Sequence, residues 1–166
     1  MNRLVAVGTL VVAVLASAAW SGEASPPAGA QQLSARIVLP SHTMRTGSSM
    51  TARVVVDNET GAAVHVAACG SPFAVALRNR HVKPEVVWPL CRTDVVIPEG
   101  RSTYKVIVLA SLLACTNATP TGTTPACLPG GIMPPLPTGR YHAALYQQPA
   151  VVRQPRAIPV RVTAAS

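Results

Sequence analysis

Met50 to Asp57 reads MTARVVVD, Asn58 to Gly61 reads NETG, and Ala62 to Ala68 reads AAVHVAA. Both flanking runs are built from Val and Ala with polar residues interleaved. Branching at Cβ stiffens Val and suits the pleated backbone of a strand. Asn and Gly tolerate the positive φ that a tight reversal demands. The stretch therefore predicts a strand, a turn, and a second strand that pairs back on the first as a hairpin.

The same signals recur on both sides. Leu33 to Leu39 (LSARIVL) is a predicted strand that ends at Pro40. Downstream come Phe73 to Asn79 (FAVALRN), Val86 to Trp88 halted by Pro89, and Thr93 to Ile97 before the turn Pro98-Glu99-Gly100. Ser102 to Leu109 (STYKVIVL) and Arg140 to Gln147 (RYHAALYQ) follow, the latter entered through Pro137-Thr138-Gly139. Ala157 to Thr163 (AIPVRVT) is the last, and Pro159 suits it to a sheet edge. About eight short strands at turn intervals of roughly 8–12 residues predict an all-β fold, an antiparallel β-sandwich without helix after residue 30. Strand alternation nominates Val54, Val56, Val64, Val66, Trp88, Val106, Val108, Tyr141, Ala143 and Leu145 for the core.

Composition agrees. In 166 residues, 12% are charged and 49% hydrophobic, which excludes a disordered chain. The sixteen prolines and eleven glycines supply the breaks that many short strands need. The formal net charge is +8, and twelve of the fourteen basic residues are Arg. They are spread along the chain, without a run that resembles a nucleic-acid tract. Such a charge reads first as a basic, soluble surface, and as the alternative an attraction to anionic envelope polymers or acidic proteins.

The first thirty residues read as an export segment. Met1-Asn2-Arg3 is a positive start, Leu4 to Ala19 is apolar, and small-x-small sites follow at Ala16-Ser17-Ala18, Ser17-Ala18-Ala19 and Ala28-Gly29-Ala30. The apolar run is short for a membrane span, which needs roughly 20 residues. The expected organisation is a signal peptide with a short linker over 1–30 and one domain over 31–166. The mature chain is expected to start between Ala19 and Gln31, with no stable membrane span and a secreted or cell-envelope location.

Behind such a signal, Cys69, Cys91, Cys115 and Cys127 read as two disulfides. Four cysteines allow three pairings; Cys69–Cys91 with Cys115–Cys127 is preferred, because the second bridge would constrain the Thr/Pro-rich segment between them. Ala110 to Pro137 is the longest stretch without periodicity. Long aperiodic segments in compact domains are usually functional or disordered. Its apolar end, LPGGIMPPL, holds Leu128, Ile132, Met133 and Leu136 as candidate anchors for a partner's groove. The same segment also suits the covering of an open sheet end.

No catalytic pattern emerges. The histidines, His42, His65, His81 and His142, lack metal-site spacing, and the cysteines are not CxxC pairs. Asp57, Glu59 and Glu99 are explained by turns. Ser71 stands in Cys-Gly-Ser-Pro, without a nucleophile elbow, and Gly130-Gly131 lacks the lysine of a phosphate loop. No cofactor or metal is expected. Asn58-Glu-Thr and Asn117-Ala-Thr match the glycosylation acceptor pattern, and both are expected to be silent.

The order of elements resembles bacterial immunoglobulin-like domains. The matching pieces are the strand–Asn58-Glu59-Thr60-Gly61–strand unit, Pro72 to Leu77, Val86 to Trp88, Ile97 to Gly100 and Leu136 to Tyr141. Within that group the pattern is similar to the Bacillus-type intracellular proteinase inhibitors, over residues 50 to 147. The resemblance implies an immunoglobulin-like sandwich of about 7–8 strands. It also likens Tyr141 to the tyrosine that opens a late strand in such folds. Ala143 stands where antibody domains carry cysteine, so their inter-sheet disulfide is not implied. No inhibitory loop residue can be matched.

The expected function is that of an exported, non-enzymatic binding or structural module, with an unknown protein or an envelope polymer as partner. The alternatives are a secreted peptidase inhibitor and an enzyme whose site assembles only in space.

Overall fold

A computed structural model of the chain describes residues 33–84, 93–118 and 124–165. The export segment, the strand predicted at Val86 to Trp88, and Cys91 lie outside the described residues.

Among the described residues the chain forms nine strands and no α-helix. They are β1 (Ser34–Val38), β2 (Thr43–Arg45), β3 (Ser49–Asn58), β4 (Val64–Ala68), β5 (Ala74–Arg78), β6 (Thr93–Ile97), β7 (Gly100–Leu109), β8 (Gly139–Gln147) and β9 (Ile158–Thr163). One sheet has the order β1-β3-β7, a second β2-β9-β8-β5, and a third pairs β4 with β6. Each pair is antiparallel except β2 with β9, which is parallel.

Alternation builds one core between the layers. From the first sheet come Ile37, Ala52, Val54, Val56, Val106 and Val108; from the second, Met44, Val75, Leu77, Tyr141, Leu145, Val160 and Val162. Val54, Val56 and Val108 are wholly buried, whereas Ile107, one residue from Val108, stays 66% exposed on the outer face. Each buried valine contributes about 2 kcal/mol by removal of apolar surface from water. Phe73 meets Tyr104 with ring centroids 4.9 Å apart in a tilted pair. The arrangement is compatible with a β-sandwich.

Of the core residues nominated from sequence, eight are buried; Val64 packs partly buried against the cluster, and Trp88 lies outside the described residues. The hairpin at Asn58 to Gly61 does not form. β4 is a strand, but it pairs with β6. β3 has no edge to offer it, being flanked by β1 on one side and by a ten-residue ladder to β7 on the other. Asn58 directs the crossing: its Nδ2 donates to the carbonyls of Ala62, Ile97 and Pro98, 2.8–3.3 Å away.

Two further differences concern the second sheet. β2 has only three residues, too few to show a period. β9 is an inner strand, not an edge. Pro159 is tolerated because β2 begins its pairing only at Arg161, so the missing N–H of Pro159 leaves no partner stranded.

Candidate functional site

The described residues of the segment after β7 form an arm with two legs. Leu112 N–H donates to Pro134 O at 2.8 Å, Thr116 N–H to Pro125 O at 2.9 Å, and Cys127 N–H to Thr116 O at 3.0 Å. Single bridges join Ser111 to Pro135 and Thr116 to Ala126. Many prolines prevent a regular ladder, since each removes a donor. A disulfide between Cys115 and Cys127, with Cα atoms 4.9 Å apart, ties the legs together. Cys69 is also disulfide-bonded.

The root of the arm belongs to the core. Ala110 is fully buried and Leu136 is 1% exposed, with the Leu136 N–H donating to Ala110 O at 2.8 Å. The turn between β2 and β3 clasps this root. Gly47 N–H donates to Ala110 O, Ala110 N–H donates to Ser48 O, and the Thr46 hydroxyl donates to Leu136 O. Leu136 is thus a packing residue and cannot reach a partner.

Leu128, Ile132 and Met133 are brought together on the returning leg, between the disulfide and the root. They are 43%, 62% and 38% exposed. Leu128 N–H donates to Ile132 O at 2.9 Å across a single 3-10 turn, Pro129–Gly131. Gly130 and Gly131 both take positive φ, 78° and 76°, which side-chain-bearing residues rarely adopt. The Ile132 carbonyl lies 3.9 Å from Cys115 Sγ, so the apolar cluster rests against the disulfide.

The titratable side chains are dispersed. Asp57 bridges Arg36 at 3.5 Å and Arg101 at 2.6 Å, across β1, β3 and β7. The pairing raises the Arg101 pKa further above its usual value, by hydrogen bonding and then by charge. His65 meets Asp94 at 2.7 Å between β4 and β6, an exposed pair worth little to stability. His42 contacts Pro159 O, and His81 Nε2 accepts from Arg80 Nε at 2.7 Å. Ser71 closes a local turn on Phe73. Among the described residues no three His, Cys, Asp or Glu side chains converge as metal ligands would. Nor does any helix there have the length and apolar character to cross a membrane. Tyr141 is held above the usual phenol pKa, first by burial. Its protonated hydroxyl donates to Pro137 O at 2.9 Å.

One feature escaped the sequence reading: a groove of about 790 Å³ over the outer face of β5 and β8. Arg78, Arg80, Lys83, His142, Tyr146 and Gln154 are among its lining residues. The outward positions of β5 and β8 gave a signal, because Arg78 and His142 both fall on them. Their juxtaposition depends on the register Arg78↔His142, which only the fold supplies.

No protein-family model matches the chain, and neither a curated protein nor a solved structure does.

Proposed function

We propose that the chain is an exported, immunoglobulin-like binding module of the cell envelope or secreted space, and that its disulfide-braced arm meets a protein partner. The observation that carries this reading is the exposed cluster of Leu128, Ile132 and Met133 on a covalently tied support. A braced loop loses less conformational entropy on association than a free one. Apolar side chains displayed together on its flank suit a partner's groove. The bridge itself accords with an oxidising compartment.

The immunoglobulin-like part of the reading has two supports. The first strands divide between the layers, β1 joining β3 and β2 running parallel to β9. The Tyr141 hydroxyl reaches back four residues to a backbone carbonyl, as the corner tyrosine of such folds does.

A photo-crosslinking residue at position 132 tests the site, with one at Ile107 as an equally exposed control on a sheet face. Labelling of a discrete envelope or secreted protein from position 132, and not from 107, is expected. Equal labelling from both, or none from 132, would remove the arm from consideration. Stoichiometric inhibition of a peptidase by the chain, lost on substitution in the arm, would instead favour the inhibitor reading.

A further inference from the structure

We propose that the groove over β5 and β8 is a second binding site, which takes a linear acidic polysaccharide. Its floor includes the small side chain of Ala144 on β8. Around that floor stand Arg78, Arg80 and Lys83, all exposed. None of the described lining residues is acidic. The ion pairs among the described residues lie elsewhere, at Asp57 and at His65–Asp94. Three cations left facing one hollow repel each other, and an anionic ligand relieves that repulsion.

The chemistry of the walls narrows the ligand. β8 is an inner strand, hydrogen-bonded to β5 on one side and β9 on the other. Its backbone groups are therefore committed, so an extended peptide cannot add along β8 as it would to a sheet edge. Over β8, recognition comes from side chains. Arg forks match carboxylates in bidentate fashion. Tyr146 supplies a ring and a hydroxyl, and Gln154 is fixed beside it by donation from Nε2 to Leu145 O at 3.1 Å. That combination suits a sugar bearing carboxylates and hydroxyls. A nucleic acid strand would call for several stacking rings, and the described lining offers the Tyr146 phenol and the His142 imidazole.

The groove also continues. A second hollow of about 760 Å³ shares His142 and Ala157 with the first and adds Arg156, together with Arg36, which is already paired with Asp57. Two cationic hollows in series fit a repeating anion better than a single small one. The net charge of +8 would draw such a chain in over longer range.

Titration calorimetry of the full chain with polygalacturonate, at about 0.15 M salt, tests the proposal. Two triple variants lower the charge equally: Arg78→Gln with Arg80→Gln and Lys83→Gln in the groove, and Arg45→Gln with Arg53→Gln and Lys105→Gln away from it. All six side chains are exposed, and circular dichroism checks that both variants fold. The groove variant should weaken binding about tenfold or more and the control variant less than about twofold, as expected when specific charged contacts rather than net charge are lost. Binding should survive Ile132→Ser with Met133→Ser, which separates this site from the arm. Equal losses in the two triple variants would reduce the effect to diffuse charge and overturn the site. So would absence of binding by the parent chain, or tighter binding of polyglutamate or single-stranded DNA.

Discussion

The Asn58 side chain, 1% exposed, gathers three carbonyls through Nδ2, while its Oδ1 accepts from the Thr60 N–H at 3.1 Å and the Thr60 hydroxyl at 2.7 Å. It fastens the exit of β3 to the loop before β4 and to the end of β6. The sequence marks Asn58 as a turn former by its tolerance of positive φ, but no residue other than glycine takes positive φ among those described; Gly61 does so at 79°. Asn58 works through its amide instead. Nothing in the local pattern reveals this, because Ile97 and Pro98 lie some forty positions away. Asn58→Ala should cost about 3 kcal/mol, since it strands buried carbonyls without donors. Urea unfolding measures the loss, and a cost under about 0.5 kcal/mol, the range of ordinary surface changes, would contradict the role given to the amide. The same burial makes Asn58 inaccessible as a glycan acceptor in the folded chain.

At the scale of elements, the strands with strong alternation were the ones legible from sequence. β3, β7 and β8 fall within one or two residues of their predicted bounds. What local pattern does not encode is partnership: β4 is visible as a strand, yet its mate is chosen by which edges remain open. The arm illustrates the opposite case, a segment without period whose described legs are nonetheless held by covalent and root contacts. Replacing Cys115 and Cys127 by Ser together should leave the β-sheets folded, because Ala110 and Leu136 still anchor the root. The loss in global stability should fall below the roughly 3 kcal/mol that a bridge of this span contributes when it closes a freely unfolding loop. The legs should open instead, and limited proteolysis should cut first between Leu112 and Pro134. Mass spectrometry of the early fragments decides the matter; first cuts in β3 or β7 would mean that the bridge holds the whole domain.

For the molecule as a whole, an all-β chain with two main layers and one valine-rich core was readable from Val spacing and turn residues alone. The site was readable only in part. Ile132 and Met133 stand exposed, but Leu136 turned inward, because residues near an arm's root face the core whatever their place in an apolar run. The basic groove was hidden by its non-local register. Export is the remaining whole-molecule expectation, and N-terminal sequencing of secreted or envelope material should give a first residue between Ala19 and Gln31. Retention of Met1 would refute cleavage.

The root of the arm has a consequence for how this chain can change over generations. Ala110 and Leu136 are joined by a direct backbone hydrogen bond, so the arm departs and returns through a closed gate. Lengthening or rewriting the residues beyond that gate leaves the register of β7 and β8 untouched, and loop-closure entropy grows only slowly with added length. Descendants of this chain are thus free to diversify the arm as an interchangeable cassette while inheriting the same frame. The frame, conversely, tolerates little drift at Thr46, whose hydroxyl holds the gate, and at Gly47, whose φ of 74° side-chain-bearing residues rarely adopt.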